Sequence, residues 1–477
     1  MPEYLYRFRP VKRLFGSDES EGELTGHYIY FASPEQLNDP LEGYRELYFS
    51  GDYIVWRNLF KRYIICLIIR NFQFLSGQNL KETVFPDCYN LSTLPQEIKE
   101  KGNVIVEAFL NNNNIQRHIS FLSKSERRVT KEELIVHLRG VHVYAMKLTA
   151  NLYGSLGVKL NETKLSSMDE ARSLRSSTAL LSVCKESSAE NIDGAEAIAY
   201  IFALYTTETK LFISSYNAYK EGGNSKWRNF VHNYITDFIE SLKKLSHRNW
   251  YTACFMETCS NSAIWGTYGD NHAGVCLKFK VDNTDEISQL SFVMPVAYGA
   301  SGSIWKPASI SFEKVQYEGD SPDLDFFRSI GIYSKDALLK NWYTDDQGVK
   351  SACATAMENE KDWIETYWKN RQLSITTKMP DWHNESEYRL ILQNDMPDYV
   401  DGKKRCLTYN FDSLDGIIFG IRTPDIEKYE IIAALEELCD RFKRESFNIY
   451  QAYHDASSKS IKYRKLINIS CKNPNTK

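Results

Sequence analysis

Bulky and polar residues alternate along one short stretch late in the chain, residues 387–392. An alternation with a period of two predicts a half-buried β-strand. On that strand Glu385, Glu387 and Arg389 would share one face, and the bulky residues would occupy the other. Two neighbouring carboxylates are candidates for acid–base catalysis or for stabilising a positive charge. The alternative is that these charges pair with neighbours on an exposed sheet face.

The same kind of pattern predicts further strands near both ends of the chain, at 4–9, 28–31, 250–255, 275–279, 290–298, 415–420 and 447–453. Apolar residues spaced by three and four predict helices at 130–150, 195–219, 225–246, 262–268, 353–370 and 424–442. Candidate capping residues that begin helical turns are Ser33, Thr130 and Ser167. Residues 300–325 are predicted to be loop. The strand–helix–strand pattern at 415–453 predicts a parallel crossover on one sheet.

Strands gather at the two ends of the chain, and helical patterns dominate between them. This arrangement predicts an α+β fold, with a mixed β-sheet core assembled from both chain ends and a large all-α insertion. We expect residues 1–51 to form the first part of the core, 52–247 the helical insertion and 248–471 the second part of the core. A helical block of this size is well suited to binding a protein partner.

Composition narrows the function classes. The 477 residues are 43% hydrophobic and 25% charged, which is typical of a soluble globular protein. A net charge of −4 does not indicate nucleic-acid binding, although a nucleic acid as target stays open. No apolar run approaches the roughly twenty residues that span a bilayer. The ten cysteines include no Cys-x-x-Cys pair, so we expect reduced thiols in the cytoplasm and no structural zinc.

Several separated motifs follow one another in an order that resembles the bacterial family catalogued as domain of unknown function 2971. The motifs are Tyr6 to Arg9, Ile29 to Pro34, Leu37 to Pro40, Glu42 with Gly43, Cys254 with Phe255, Trp265 to Tyr268, Asn271 with His272, Gly274 with Val275, Trp382, Glu385, Glu387 to Arg389 and Ile418 to Gly420. The resemblance covers about 1–45 and 250–454, and it leaves out the helical insertion. It implies no particular activity.

A second resemblance, to the ADP-ribosyltransferase-like fold, does imply an activity. That fold places a basic residue on its first strand, a polar residue on a middle element and a Glu at the start of a late strand. Arg7 or Arg9, the loop at 33–38 and Glu387 would take these places, and Glu385 with Glu387 is similar to the Glu-x-Glu of some transferases. The Ser-Thr-Ser and His-Tyr patterns of the fold have no clear counterpart here.

The second resemblance implies an enzyme that consumes NAD, either a transferase or a glycohydrolase, of the kind found in bacterial toxins and phage defence. Cleavage of the nicotinamide–ribose bond passes through a sugar cation, which a carboxylate such as Glu387 would stabilise. Glu385 would orient or deprotonate the acceptor. On this hypothesis, Glu387→Gln abolishes NAD turnover and leaves thermal stability nearly unchanged.

Further residues would then hold the cofactor. Arg7 or Arg9 would bind its phosphates or ribose, and Trp265 or Tyr268 would stack on one of its rings. The candidate hydroxyl-binding residues are Ser33, Asn38 and Asp39. Structural roles are the alternative for each of them, since large aromatic residues are usually buried and arginines often pair with acidic neighbours.

Two other functions stay open. One is a sensor or interaction protein with a catalytically silent core, whose helical insertion binds a partner. The other is a metal-dependent nuclease built from Asp39, Asp270, Glu385 and Glu387, although their spacing matches no established metal motif.

Overall fold

The computed structural model describes residues 2–17, 20–39, 47–77, 91–124, 127–157, 178, 181–182, 226–246, 249–284, 287–299, 302–317, 323–331, 333–393 and 397–470. Contacts divide the chain into two compact units, the first formed by 1–44, 248–321 and 371–477 and the second by 45–247 and 322–370. We call the second unit the helical unit. The sequence-based division places 322–370 in the core, whereas in the structure these residues belong to the helical unit.

The strands, in chain order, are β1 (Tyr4–Arg9), β2 (Gly16–Ser17), β3 (Ser20–Glu21), β4 (Tyr28–Tyr30), β5 (Leu47–Phe49), β6 (Val129–Thr130), β7 (Trp250–Met256), β8 (Val275–Lys280), β9 (Asp282–Thr284), β10 (Ile287–Gly299), β11 (Gly302–Lys314), β12 (Leu324–Asp325), β13 (Glu387–Gln393), β14 (Cys406–Tyr409), β15 (Leu414–Phe419), β16 (Ser446–Asp455) and β17 (Ser460–Ser470).

The α-helices are α1 (Lys12–Phe15), α2 (Tyr53–Leu75), α3 (Gln96–Leu110), α4 (Asn113–Leu122), α5 (Lys131–Ser155), α6 (Lys226–Ser246), α7 (Ser262–Thr267), α8 (Phe326–Ser329), α9 (Lys335–Leu338), α10 (Glu360–Thr376) and α11 (Asp425–Phe442). Within the described ranges, every helix falls short of the length and hydrophobicity that crossing a bilayer requires. The capping box predicted at Ser167, the helix predicted at 195–219, and the motif residues Pro40, Glu42 and Gly43 lie outside the described residues.

The predicted α+β class is confirmed. The first unit is built on one large mixed sheet with the strand order β17-β16-β15-β8-β1-β7-β13-β11-β10-β14-β4. Strands from the start of the chain, β1 and β4, pair with strands from its second half. β15 and β16 run parallel and are joined by α11, so the predicted crossover is confirmed. The other neighbours along this order are antiparallel.

The sheet curls until part of it returns onto itself. Just after β4, the backbone N–H and C=O groups of Ala32 and Thr252 exchange two 2.8 Å hydrogen bonds, so the order β7-β13-β11-β10-β14-β4 leads back to β7. Alternate residues on these strands fill the space inside the curl, among them Ile29, Phe255 and Leu390. A close-packed apolar core of this kind fixes the strand register, because a slip by one residue would move the apolar side chains of the strand to its outer face.

One expectation for this region is wrong. Residues 302–314 form β11, which pairs with β10 and β13, and they are not loop. The Gly, Ser and Pro residues of this segment resemble a loop, but Ala308, Ile310 and Phe312 keep the period of two, and their cross-strand neighbours decide the structure. The long strand β17, which pairs with β16, was also not foreseen.

In the second unit, α2 is the central helix. From Val55 to Asn71 it is buried on nearly every side, and residues of α3, α4, α5 and α6 contribute to the same core. The predicted helices at 130–150 and 225–246 are confirmed as α5 and α6. The Thr130 hydroxyl accepts the backbone N–H of Glu133, 3.2 Å away, and so caps α5 as the sequence predicted.

This core contains a buried histidine pair. The Nδ1 atoms of His118 and His137 are 2.8 Å apart, and Nε2 of His137 lies 3.3 Å from the Glu133 carboxylate. Because a carboxylate only accepts, Nε2 of His137 carries a proton, and its Nδ1 therefore accepts the Nδ1–H of His118. Burial lowers the pKa of His137 to about 3 and that of His118 well below its usual value. Both imidazoles are therefore neutral in the fold.

This pair predicts a loss of stability in acid. Both folded pKa values lie below the ordinary value of 6.5, so between pH 6.5 and about 3 the unfolded chain binds protons that the folded chain excludes. The free energy of unfolding should fall by about 1.4 kcal/mol per pH unit for each histidine as the pH drops through this window. His118→Asn keeps a donor near the Nδ1 position and removes one of the two titrating groups. Urea unfolding at several pH values should therefore show that its free energy of unfolding falls less steeply with decreasing pH, by about 1.4 kcal/mol per pH unit. An unchanged pH dependence would contradict the assignment.

Candidate functional site

Strand β13 places two charged side chains on one face of the sheet. It lies between β7 and β11, with Glu387 opposite Met256 and Arg389 opposite Cys254. Because residues directly opposite each other point the same way, these four side chains share a face. The strand is buried on both faces along most of its length and not half-buried as the sequence predicted, because the charges on its polar face are themselves covered.

Glu385 reaches the same face by a different route. The sequence pattern places it on the strand, but it ends a 3₁₀ turn at Pro380–Glu385. The next residue, Ser386, has a φ of 45° and a ψ of 54°, and this left-handed conformation turns the chain into β13. The side-chain period of the strand therefore does not extend to Glu385, and its carboxylate is positioned by the turn.

Lys378 brings the two carboxylates together. Its Nζ donates to Oε2 of Glu385 at 2.7 Å and to Oε2 of Glu387 at 3.1 Å. Arg389 forks onto Glu387, with Nε 2.9 Å from Oε1 and Nη2 3.1 Å from Oε2. The side chains of these four residues, which we call the Lys378 cluster, are at most 4% exposed. Two acids and two bases therefore neutralise one another away from water.

Burial and pairing compete in setting the charges of this cluster. Burial raises the pKa of Glu387, and the Lys378 ammonium acts against that rise. Burial alone would lower the pKa of Lys378, but the carboxylates of Glu387 and Glu385 outweigh it and raise that pKa well above its usual range. Burial lowers the pKa of Arg389 to about 9, and the nearby Asp39 carboxylate opposes this shift. At neutral pH Lys378 is an ammonium ion, so it is neither a base nor a nucleophile.

Half-buried aromatic side chains line the cluster on its outer side. The hydroxyl of Tyr268 donates to Oε1 of Glu385 at 2.6 Å. The hydroxyl of Tyr317 accepts the backbone N–H of Glu387 at 2.8 Å, and the Lys378 ammonium lies 4.8 Å from the ring centre of Trp382. These three rings, which we call the aromatic rim, bring polar atoms of the cluster next to partly exposed π surfaces.

The predicted cofactor arginines lie on the opposite face. Arg7 lies over the ring of Phe255, which alternates with Cys254 and Met256 along β7 and so points away from Glu387. Arg7 donates to the backbone oxygens of Cys254 and Tyr30, at 3.2 and 3.0 Å. Here β1 and β4 meet β7 at different points, and the guanidinium fills the space between them.

Arg9 pairs with an acidic neighbour, as the structural alternative proposed. Its Nε donates to the Glu23 carboxylate at 2.9 Å, and Nε of Arg7 lies 3.5 Å from the same oxygen. Burial alone would raise the pKa of Glu23, but the two guanidinium groups outweigh it and lower that pKa. Arg7 and Arg9 are therefore not placed to bind a ligand beside Glu387.

The other predicted ligand residues are scattered. Trp265 is fully buried, with its Nε1 bonded to the Cys259 oxygen at 2.8 Å, so its ring is not available for stacking. Asp39 is buried and lies within electrostatic reach of Arg389, whereas Asn38 is exposed. The backbone N–H of Ser33 donates to the Gln36 side chain in a short 3₁₀ turn.

A metal centre receives no support from this geometry. Of the four carboxylates considered for a nuclease, Glu385 and Glu387 bind Lys378, while Asp270 lies on the turn after α7. In the part of the chain that the structure describes, no group of three or more His, Cys, Asp or Glu side chains is placed to hold a metal ion.

Sequence reasoning missed Lys378 and Tyr317. Lys378 follows the end of α10, where neither alternation nor helical spacing distinguishes one lysine from another. Tyr317 follows β11, which pairs with the strand of Glu387. Because the pattern of residues 300–325 predicts a loop, it does not indicate that Tyr317 lies beside Glu387. The bridge between Gln316 and Thr377 then brings Lys378 to the same end of the sheet.

The cluster predicts a large effect of Glu387→Gln on stability. The substitution leaves Arg389 and Lys378 buried with too little negative charge, so the free energy of unfolding should fall by about 3–5 kcal/mol. This replaces the sequence-based expectation of nearly unchanged stability. Urea unfolding measures the change. The matched control is Glu257→Gln at the exposed ion pair with Lys314, which should lose less than about 0.5 kcal/mol. Equal losses in the two variants would show that the buried pairing contributes little.

Comparison with known proteins adds one finding. Residues 264–390 match the family model described as Protein of unknown function (DUF2971). The match begins within α7 and ends in β13, so it contains all four residues of the Lys378 cluster and all three residues of the aromatic rim. Neither the curated proteins nor the solved structures gave a match, so the resemblance to ADP-ribosyltransferases stays an expectation. In the region that forms the candidate site, the chain is similar to the DUF2971 family.

Proposed function

We propose that the chain is an enzyme that cleaves the nicotinamide–ribose bond of NAD, as a transferase or a glycohydrolase. The observation that carries the proposal is the shared ammonium of Lys378, which lies 2.7 and 3.1 Å from two carboxylates beside an aromatic rim. Glu385, which reaches the rim through the Tyr268 hydroxyl, would supply the negative charge beside which a sugar cation develops.

The reaction balances with groups of this site. The bond between C1′ of the ribose and the pyridinium nitrogen breaks, and its electron pair leaves with nicotinamide. The positive charge passes to the ribose, which water or an acceptor hydroxyl attacks at C1′. A carboxylate takes the proton that the nucleophile loses. With water, NAD becomes nicotinamide and ADP-ribose with the release of one proton.

We assign the reacting role to Glu385 and a positioning role to Glu387. Both oxygens of Glu387 are engaged by Arg389, and one of them also binds Lys378, so this carboxylate has little capacity for a ligand. Glu385 has one oxygen on Lys378 and the other on the hydroxyl of the half-buried Tyr268. A hydroxyl of the substrate that replaced the Tyr268 hydroxyl would reach Glu385 from the rim.

The aromatic rim would stack on a ring of the substrate. Tyr268, Tyr317 and Trp382 offer partly exposed rings beside Glu385, whereas Trp265 is enclosed. A planar nicotinamide or adenine ring gains both buried area and favourable ring geometry from such partners. The rim therefore takes the place that the sequence had given to Trp265.

The biological setting that we propose is a toxin or phage-defence effector of the bacterial cytoplasm. Depletion of NAD or modification of a host target would stop growth. Seven cysteines of the described chain are free thiols, which fits a reducing compartment.

A second candidate, partner binding by the helical unit, draws on a separate observation. Ile364 and Trp368 of α10 are 40% and 44% exposed, and a shallow cleft beside the same helix is lined in part by Arg328, Trp363 and Tyr367. Exposed aromatic residues next to a cleft are typical of protein interfaces.

The enzymatic proposal predicts that purified protein releases free nicotinamide from NAD. Glu385→Gln removes the base and half of the negative charge at the cation, so the rate should fall about 10²- to 10⁴-fold. Chromatography of nicotinamide measures the rate, and urea unfolding of each variant separates loss of chemistry from loss of fold. Glu257→Gln is the matched control and should retain the wild-type rate. Full turnover by a folded Glu385→Gln protein would end the assignment.

Expression in bacteria separates the two candidate functions. If catalysis stops growth, Glu385→Gln should restore it, because that variant lacks the proposed base. If a partner bound through α10 is required instead, Trp368→Glu should restore growth, since it places a charge on an apolar surface. Growth curves of the wild type and both variants at equal protein levels give the answer.

A further inference from the structure

The turn between α7 and β8 has an unusual backbone. Asp270, Asn271 and His272 have φ values of 50°, 52° and 71°, so three consecutive residues other than glycine adopt the left-handed conformation. Each such residue costs free energy, and such outliers cluster at functional sites, where surrounding contacts hold them. The turn is therefore a candidate for a chemical role.

The segment that follows β15 holds the turn in place. The His272 oxygen accepts the backbone N–H of Arg422 at 2.9 Å. The Gly274 oxygen accepts the backbone N–H of Gly420 at 3.0 Å and the hydroxyl of Thr423 at 2.8 Å. A Cβ atom at Gly420 would lie 2.2 Å from the His272 oxygen, so only glycine permits this approach. The close approach of the segment after β15 thus holds the left-handed turn in place.

The consequence is a fixed imidazole at the surface. The His272 ring lies parallel to the buried Trp265 ring, with an angle of 9° between them. Among the described residues, Nδ1 of His272 is buried without a hydrogen-bond partner. A buried N–H without an acceptor is rare, so we place the proton on Nε2. Nε2 lies 3.5 Å from the Ser262 hydroxyl, which leaves both groups able to bind a third atom.

A positive charge lies beside these donors. Burial lowers the pKa of His272, and the nearby Arg422 guanidinium lowers it further, so the imidazole is neutral while Arg422 supplies the charge. Arg422 and Ser262 are exposed. A guanidinium, an imidazole N–H and a hydroxyl together are suited to an anion with several oxygens, such as a phosphate. The carboxylate of Asp270 lies on the same turn and opposes such binding.

The position of these donors relates them to the Lys378 cluster. Ser262 and Tyr268 are six residues apart at the two ends of α7, or about 9 Å along a helix axis. The side chain of Asn261 donates to the backbone oxygen of Asn384 at 3.2 Å, so the start of α7 lies against the residue that precedes Glu385. A nucleotide with its ribose at Glu385 would extend its phosphates along this helix.

We propose that Ser262, His272 and Arg422 bind the diphosphate of the nucleotide substrate. The proposal rests on the proposed function for the identity of that substrate. These residues lie on the same face of the sheet as Glu385. They replace Arg7 and Arg9, which lie on the opposite face, as the residues that bind the phosphates. These three residues bind the substrate and take no part in bond breaking.

The test is calorimetric binding of ADP-ribose, with adenosine as the ligand that lacks phosphate. Arg422→Gln and His272→Leu should each weaken ADP-ribose binding about tenfold or more, the effect of one hydrogen bond to a charged group. Neither should change the affinity for adenosine. His272→Gln retains an N–H donor and should recover most of the loss, and Asp270→Asn should bind ADP-ribose more tightly. Arg464→Gln, at an exposed arginine on β17, is the matched control and should bind as the wild type does.

The proposal fails if the wild type does not bind ADP-ribose at millimolar concentration, or if Arg422→Gln binds it as the wild type does. Arg422 is exposed, so its variant tests the site even if His272→Leu does not fold. Arg422-dependent binding of ADP-ribose without any release of nicotinamide from NAD would discard the proposed catalysis and retain the anion site. Equal loss of ADP-ribose and adenosine binding would overturn the diphosphate assignment.

Discussion

The ammonium of Lys378 is the constraint on which the candidate site depends. Two carboxylates that approach one cation from a turn and from a strand would repel each other without it, and burial would then favour their protonated forms. With it, and with Arg389 behind Glu387, each carboxylate has a positively charged partner away from water. The same contact attaches the segment that follows α10 to the start of β13. The Lys378 contacts therefore both neutralise the buried carboxylates and fix the path of the chain between α10 and β13.

The two faces of β13 and β7 carry different kinds of side chain. On the face inside the curl, the guanidinium of Arg7 donates to two backbone oxygens, and aromatic and aliphatic residues fill the remaining space. On the other face, charged and hydroxyl groups meet beside partly exposed rings. A guanidinium with five fixed donors is well matched to backbone oxygens that lack strand partners. Arg7 of the first strand thus binds the backbone of β7 and β4, and the Lys378 cluster lies on the opposite face.

Much of the fold could be predicted from the sequence because local pattern and tertiary packing agree there. β1, β7, β13 and the crossover of β15, α11 and β16 all carry a clear period, and each is confirmed. β11 could not be predicted, because its Gly, Ser and Pro residues resemble a loop and only pairing with β10 and β13 makes it a strand. The site was partly foreseen through Glu385 and Glu387. Lys378 carries no local signal, and the face on which Arg7 lies follows from a register that one sequence does not reveal.

Return of the sheet onto itself at Ala32 and Thr252 also determines where the fold could associate with copies of itself. Along the strand order, that end is occupied by β7, and the outer strand at the other end is β17. An unpaired outer strand invites further strands to add, which is the first step toward fibres. β17 carries Lys462, Arg464 and Lys465 within four residues, and a second copy would bring the same charges against them. Repulsion at β17 therefore opposes growth of the sheet at this end.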